Sequence, residues 1–178
     1  KLTTWDTVLR NQPDIAVTFV ENHDLRDPGR PIANDKLLAY SYILTHEGSP
    51  CVFWKDYYNA GLADEGTTNG IAALVNAYRR YAGGTSQVLW ADDDLYIMQR
   101  SGYGDQPGLI YVLNNNGDRW KGAWVSTQWH NVSLKPVAWW GHADRSQPGT
   151  QLCASDGRGQ FYAPPRGYAV YAPMSGGG

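Results

Sequence analysis

Two short clusters in this 178-residue chain place side chains able to do chemistry directly after apolar runs. In the first, Ile15-Ala16-Val17-Thr18-Phe19-Val20 runs into Glu21-Asn22-His23-Asp24. In the second, Cys51-Val52-Phe53-Trp54 runs into Lys55-Asp56-Tyr57-Tyr58. Both runs have strong β-propensity and little alternation, the pattern of strands buried on both faces of a parallel sheet. In parallel α/β folds, active groups gather at the carboxyl ends of the strands. A carboxylate beside an imidazole at such a place suits catalysis or the binding of a polar ligand. Capping and loop hydrogen bonding are the competing uses of the same residues.

The elements that must position these clusters follow from periodicity. Residues 3–10 read as the tail of a helix, followed by the loop Asn11-Gln12-Pro13. A helix is predicted over 35–46, with Asn34 as N-cap, an apolar face of Leu37, Leu38, Ile43 and Leu44, and Gly48 and Pro50 as stops. A second is predicted over 69–82, where Ile71, Leu74, Val75 and Tyr78 are spaced i, i+3, i+4 and i+7. Arg79 and Arg80 suit its last turn, and Gly83-Gly84 ends it. The order is β-α-β-α with crossovers typical of a parallel sheet. Two such units cannot cover both faces of a sheet, so residues 1–84 read as the end of a larger α/β domain.

From Thr85 the pattern is all-β. Strands are predicted at 87–90, 95–99, 109–113, 123–126, 136–140, 160–163 and 168–171, joined by turn-rich segments such as Asp92-Asp93-Asp94 and Asn114 to Asp118. Residues 85–173 therefore read as a small antiparallel β-sandwich or Greek-key domain, and 174–178 as the start of a linker.

Composition narrows the function. Hydrophobic residues make up 42% of the chain, enough for a packed core, and the net charge of −2 gives no reason to expect nucleic acid or an anionic membrane as partner. No apolar run approaches the roughly 20 residues of a membrane span, so no membrane partner is expected. Eight Trp and twelve Tyr stand against three Phe, an excess of rings with polar handles that suits half-wet surfaces as well as sheet cores. Cys51 and Cys153 read as unpaired thiols. Lys1 opens the chain with neither a Met nor a signal-peptide pattern, so further upstream sequence is expected.

Three segments, in order, resemble the α-amylase family of glycoside hydrolases. Phe19-Val20-Glu21-Asn22-His23-Asp24 resembles the motif after the seventh barrel strand. Asn34-Asp35-Lys36, Ala39 to His46 and Gly48 to Phe53 resemble the seventh helix and eighth strand of plant and bacterial members. Ala91-Asp92-Asp93-Asp94-Leu95-Tyr96 resembles the opening of the C-terminal β domain. The fold class this implies is α/β plus all-β: the end of a (β/α)8 TIM barrel over 1–84, then an antiparallel β-sandwich over 85–173.

The function implied is hydrolysis of α-1,4-glucosidic bonds in starch by a retaining mechanism. The alternatives are an exo-acting, maltooligosaccharide-forming amylase, another α-glucan-active member, or a non-catalytic carbohydrate-binding fragment. Asp24 matches the family's transition-state-stabilising carboxylate, and His23 a sugar-contacting histidine. Asn22 is expected at the turn that aims them, and Asp56 lies where an acidic residue often follows the eighth strand, as a substrate contact or a helix-entry residue. The nucleophile and acid/base motifs do not occur in the chain. Its expected partners are therefore the α-glucan and the N-terminal part of the barrel, in the same or a separate polypeptide.

A Ca²⁺ cofactor is implied, with its main site outside this chain, and secretion is implied with it. Asp92, Asp93 and Asp94 with Asn114, Asn115 and Asn116 offer either calcium oxygens or two hairpin turns. Trp120, Trp124, Trp129, Trp139 and Trp140 offer either sheet core or a starch-docking face. The segment Leu25 to Pro31 departs from the family pattern, which leaves product length open.

Overall fold

The computed structural model describes residues 7–25, 32 and 34–174. The predicted loop over 26–31 and the linker residues 175–178 lie outside them, as do residues 3–6 of the helix tail read over 3–10. A short helix α1 (Val8–Asn11) precedes strand β1 (Val17–Phe19), helix α2 (Lys36–Ile43), strand β2 (Ser49–Cys51) and helix α3 (Ile71–Tyr81). Eight strands follow: β3 (Ser86–Ala91), β4 (Leu95–Arg100), β5 (Leu109–Asn114), β6 (Lys121–Ser126), β7 (Val132–Gly141), β8 (Gln151–Cys153), β9 (Arg158–Ala163) and β10 (Gly167–Pro173).

β1 and β2 pair in parallel, Val17 opposite Ser49 through Phe19 opposite Cys51. Both are shorter than predicted, β2 shares only Cys51 with its predicted run of 51–54, and neither is buried on both faces. Val17 is 62% exposed and Phe19 47%. Among the described residues each has only the other as a strand neighbour, so no described strand pairs with the second edge of β1. Sequence also placed the helix start one residue early. The N-cap is Asp35, in left-handed conformation at φ 54 and without a side-chain capping bond.

The all-β half forms a six-stranded antiparallel sheet in the order β3-β4-β5-β10-β7-β8, with β6 and β9 as a separate antiparallel pair. β8, only three residues long, was not predicted. β7 begins four residues before its predicted start and bulges beside Pro136, where the register to β10 shifts between Val170 and Tyr171. A proline, which has no N–H to give the ladder, is tolerated at such a place.

The sheet is apolar on both faces. Tyr96, Met98, Tyr111, Trp140, Tyr168 and Val170 pack on Leu37, Tyr40, Leu44, Ile71 and Leu74 of the helical half. The alternate residues Leu95, Ile97, Ile110, Val112, Trp139 and Tyr171 pack on Ala123, Val125, Phe161 and Ala163 of the β6–β9 pair. This period-two division puts one core on each side, and the helical half is continuous with the first of them.

The tryptophans divide accordingly. Trp139 and Trp140 are buried, and Trp129 packs against the second core. Trp120 donates to Asp144 Oδ2 at 2.7 Å. Trp124 remains 55% exposed, under the Arg158 guanidinium. Trp124→Ala is therefore expected to change unfolding free energy by no more than about 0.5 kcal/mol, measurable by denaturant titration. A larger loss would mean that the ring is packed.

Candidate active site

Because β1 and β2 run in parallel, the clusters that follow them emerge at one end of the pair. After β1 the chain passes through Val20 and Glu21 and turns into a short 3-10 segment, His23–Leu25. The turn is held by the Asp24 amide, which donates to Asn22 Oδ1 at 2.9 Å. His23 Nε2 lies 3.3 Å from Asp24 Oδ1, and both side chains face solvent, 78% and 76% exposed. They stand free to meet a polar ligand.

After β2 the backbone makes one π-helical turn, Lys55–Asn59, with Asp56 on its inner side. Asp56 is 2% exposed and fully engaged. Its Oδ1 accepts from Lys36 Nζ at 2.6 Å and its Oδ2 from the Tyr40 hydroxyl at 2.6 Å. The same Lys36 ammonium pairs with Glu21 Oε2, and the Tyr40 oxygen accepts from the Phe53 amide at 3.3 Å. Lys36 and Tyr40 are one helical turn apart and share a face of α2. One cation thus joins the end of β1, the start of α2 and the turn after β2.

The electrostatics follow from this arrangement. Burial alone would lower the Lys36 pKa, but hydrogen bonds and attraction from Asp56 and Glu21 outweigh it and leave the pKa raised. Burial, reinforced by Asp56, also pushes the Tyr40 hydroxyl well up, so it stays a donor. At the neighbouring position, Asp35 Oδ1 meets His142 Nδ1 at 2.7 Å and Oδ2 accepts from Arg166 Nε at 2.9 Å. Its partial burial opposes ionisation, yet these two partners hold its pKa below the usual carboxylate value.

Of the residues singled out by sequence, Asn22, His23 and Asp24 come together on one exposed turn, and Asp56 lies inside, linked to that turn through Lys36 and Glu21. Sequence reasoning gave no site role to Lys36, Tyr40 or Glu21. The available signal was a lysine opening a helix, a tyrosine four residues on, and two acidic residues at the ends of the flanking runs. A cavity of about 660 Å³ between β1, α2 and the β3–β4 turn touches Phe19 and Val20 but includes none of Asn22, His23, Asp24 or Asp56. It is a mainly apolar recess beside the site.

The acidic turns do not fit a calcium ion. Asp92 Oδ1 accepts from the amides of Asp94 and Leu95, and its Oδ2 from Trp90. Asp94 Oδ2 accepts from Asn116 and lies 2.5 Å from Lys121 Nζ. An ammonium already occupies the place where a cation would sit. Among the described residues, no three His, Cys, Asp or Glu side chains gather as metal ligands. Cys51 and Cys153 are both free, the first exposed and the second buried.

Residues 109–172 match the family described as Alpha-amylase C-terminal. The chain is 38% identical over 126 residues to an α-amylase of Geobacillus stearothermophilus, a match covering 65% of this chain and 23% of that enzyme. Residues 109–172 thus carry the C-terminal region of the α-amylase family. The relatives of the chain include plant as well as bacterial α-amylases. The α-amylase type B isozyme of Hordeum vulgare is 34% identical over 96 residues, 51% of this chain and 60% of that one. Among solved structures, the cyclomaltodextrin glucanotransferase CldA shares the fold at a TM-score of 0.62 and 20% identity, over 92% of this chain and 37% of its own. The chain thus spans less than two thirds of these relatives' length. Mostly β with few helices, its antiparallel sheet agrees with the C-terminal β domain of α-amylases.

Proposed function

We propose that this chain is the C-terminal part of an enzyme that hydrolyses α-1,4-glucosidic bonds in starch and related glucans with retention. The carrying observation is the parallel β1–β2 pair, which presents an exposed His23–Asp24 turn at its carboxyl end in a chain related to α-amylases. Residues 1–84 are then the last part of a (β/α)8 barrel, 85–173 its β domain and 174–178 the start of a linker. The exposed apolar side chains of Val17 and Phe19 share one face of β1, which the rest of the barrel would cover.

In this reading Asp24 and His23 face the sugar at the cleaved bond. The Asp24 carboxylate accepts hydrogen bonds from sugar hydroxyls, and these strengthen as the ring flattens and gains oxocarbenium character. His23 adds a second contact, and Asn22 holds the turn that aims both. A retaining mechanism needs a nucleophile and an acid/base about 5–5.5 Å apart, and both belong to the preceding part of the polypeptide. The main Ca²⁺ site is assigned there too, and the enzyme is assigned to the secretory route.

The test is turnover of soluble starch. The polypeptide containing residues 1–178 and the preceding barrel should release α-anomeric products, and residues 1–178 alone should release none. Robust turnover by the isolated segment would overturn the division of labour. Sugar binding without hydrolysis by the longer polypeptide would favour a carbohydrate-binding protein.

A further inference from the structure

The exposed Asp24 turn follows directly on a largely buried charge cluster. Lys36 has two carboxylate partners, Glu21 and Asp56, and Asp56 has a second donor in Tyr40. Glu21 follows β1, Lys36 and Tyr40 lie on α2, and Asp56 follows β2; Glu21 is the last well-buried side chain before the chain emerges at His23 and Asp24. A buried ion pair adds little to stability compared with an apolar packing of the same shape, because desolvation offsets the attraction. What it does supply is geometry, since an ammonium between two carboxylates has few alternative arrangements.

We propose that Lys36 is the positioning residue for Asp24, an inference that rests on the hydrolase reading above. Its ammonium fixes Glu21 against Asp56, and so fixes the height and direction at which the chain leaves β1. Remove it, and two buried carboxylates share one locality without a counter-ion. They repel, or one takes a proton. In either case Glu21 loses its anchor, and Asn22, His23 and Asp24 shift with it. A misplacement of about 1 Å at a reacting group is enough to cost about 100-fold in rate.

The β domain holds Lys36 in register. Asp35, immediately before it, is clasped by His142 and Arg166, and Arg166 is itself held by Asn115 Oδ1 at 3.2 Å. The left-handed conformation of Asp35 turns its carboxylate to the β domain while the next residue enters the helix. The dipeptide Asp35-Lys36 therefore links the β domain to the Asp24 turn.

The test is a double-mutant cycle in the complete enzyme with soluble starch as substrate. Lys36→Met is expected to lower kcat about 10- to 100-fold with KM within about 3-fold. In an Asp24→Asn background the same change should cost less than about 3-fold, because the group it positions no longer acts. Equal losses in both backgrounds would overturn the proposal, since a merely structural lysine weakens both alike. No loss in the wild-type background would overturn it too. If Lys36→Met does not fold, Tyr40→Phe removes one hydroxyl from the same cluster and should show a smaller loss that again vanishes beside Asp24→Asn. An inactive wild-type enzyme would overturn the hydrolase reading. An active one with parallel losses would overturn only the role of Lys36.

Discussion

In the complete enzyme, Asp24→Asn is expected to lower kcat by about 10³-fold or more while KM changes far less. The expectation starts from position, at the carboxyl end of a strand in a parallel pair, on a turn open to ligand. Asparagine keeps the shape of the side chain and removes its charge. Ground-state contacts with neutral hydroxyls largely survive such a change, whereas the interaction with a ring gaining positive charge does not. The loss therefore falls on kcat. His23→Ala should cost less, because it removes one contact and no partner of the developing charge. Initial rates over a range of starch concentrations would separate the two parameters, with thermal midpoints confirming that both variants are folded. If Asp24→Asn kept more than about a tenth of wild-type kcat, the assigned role would be wrong.

The parts of the fold legible in the sequence were those whose signal is local. Helix α3 shows Ile71 and Leu74 buried as its spacing predicts, and the arginines fall in its last turn. β4, β5 and β10 announce themselves as apolar runs, but which residues face which core does not. Leu95 and Tyr96 are both buried, one toward the β6–β9 pair and one toward the helices. With both faces apolar, alternation vanishes from the sequence. β8 has three residues and no apolar pattern, so it exists only through its pairing with β7. β1 and β2 had the composition of buried strands. Their exposure depends on neighbours, which composition cannot count.

The site was legible to the same degree. Asn22, His23 and Asp24 form one contiguous motif and could be found by reading. The Lys36–Asp56 and Asp35–Arg166 pairs span 20 and 131 residues, and charges that meet across such distances leave no period behind. Asn34 was the natural N-cap by residue type. Asp35 takes the position instead, because the β domain engages its carboxylate.

The other large expected effect is on stability and concerns His46, which belongs to no site. It is 4% exposed at the junction of α2 and the sheet. Its Nδ1 lies 2.8 Å from the Tyr42 carbonyl, which can only accept, so Nδ1 carries the proton. Its Nε2, 2.9 Å from the Tyr96 hydroxyl, is then the acceptor. A second proton on Nε2 would force that hydroxyl to turn from donor to acceptor and place a charge in the core. Burial pushes the His46 pKa down to about 4. The Tyr42 carbonyl and Glu47 oppose that shift, and Arg100 adds to it.

The unfolded chain takes up this proton near pH 6.5 and the folded chain does not. Stability is thus fully present above about pH 6.5 and is lost as pH falls toward the folded value. Between neutral pH and about pH 4.5 the loss should reach about 2.5 kcal/mol. Carboxylates held below their usual pKa, such as Asp35 and Glu47, begin to lose their contributions at the acid end of this window and lose most of them below it. Denaturant unfolding of wild type and His46→Gln across this window isolates the effect. Glutamine does not titrate, so its profile should be flatter by about that amount, whatever its absolute stability. Profiles of equal slope would show that His46 is not the group that makes this junction sensitive to acid.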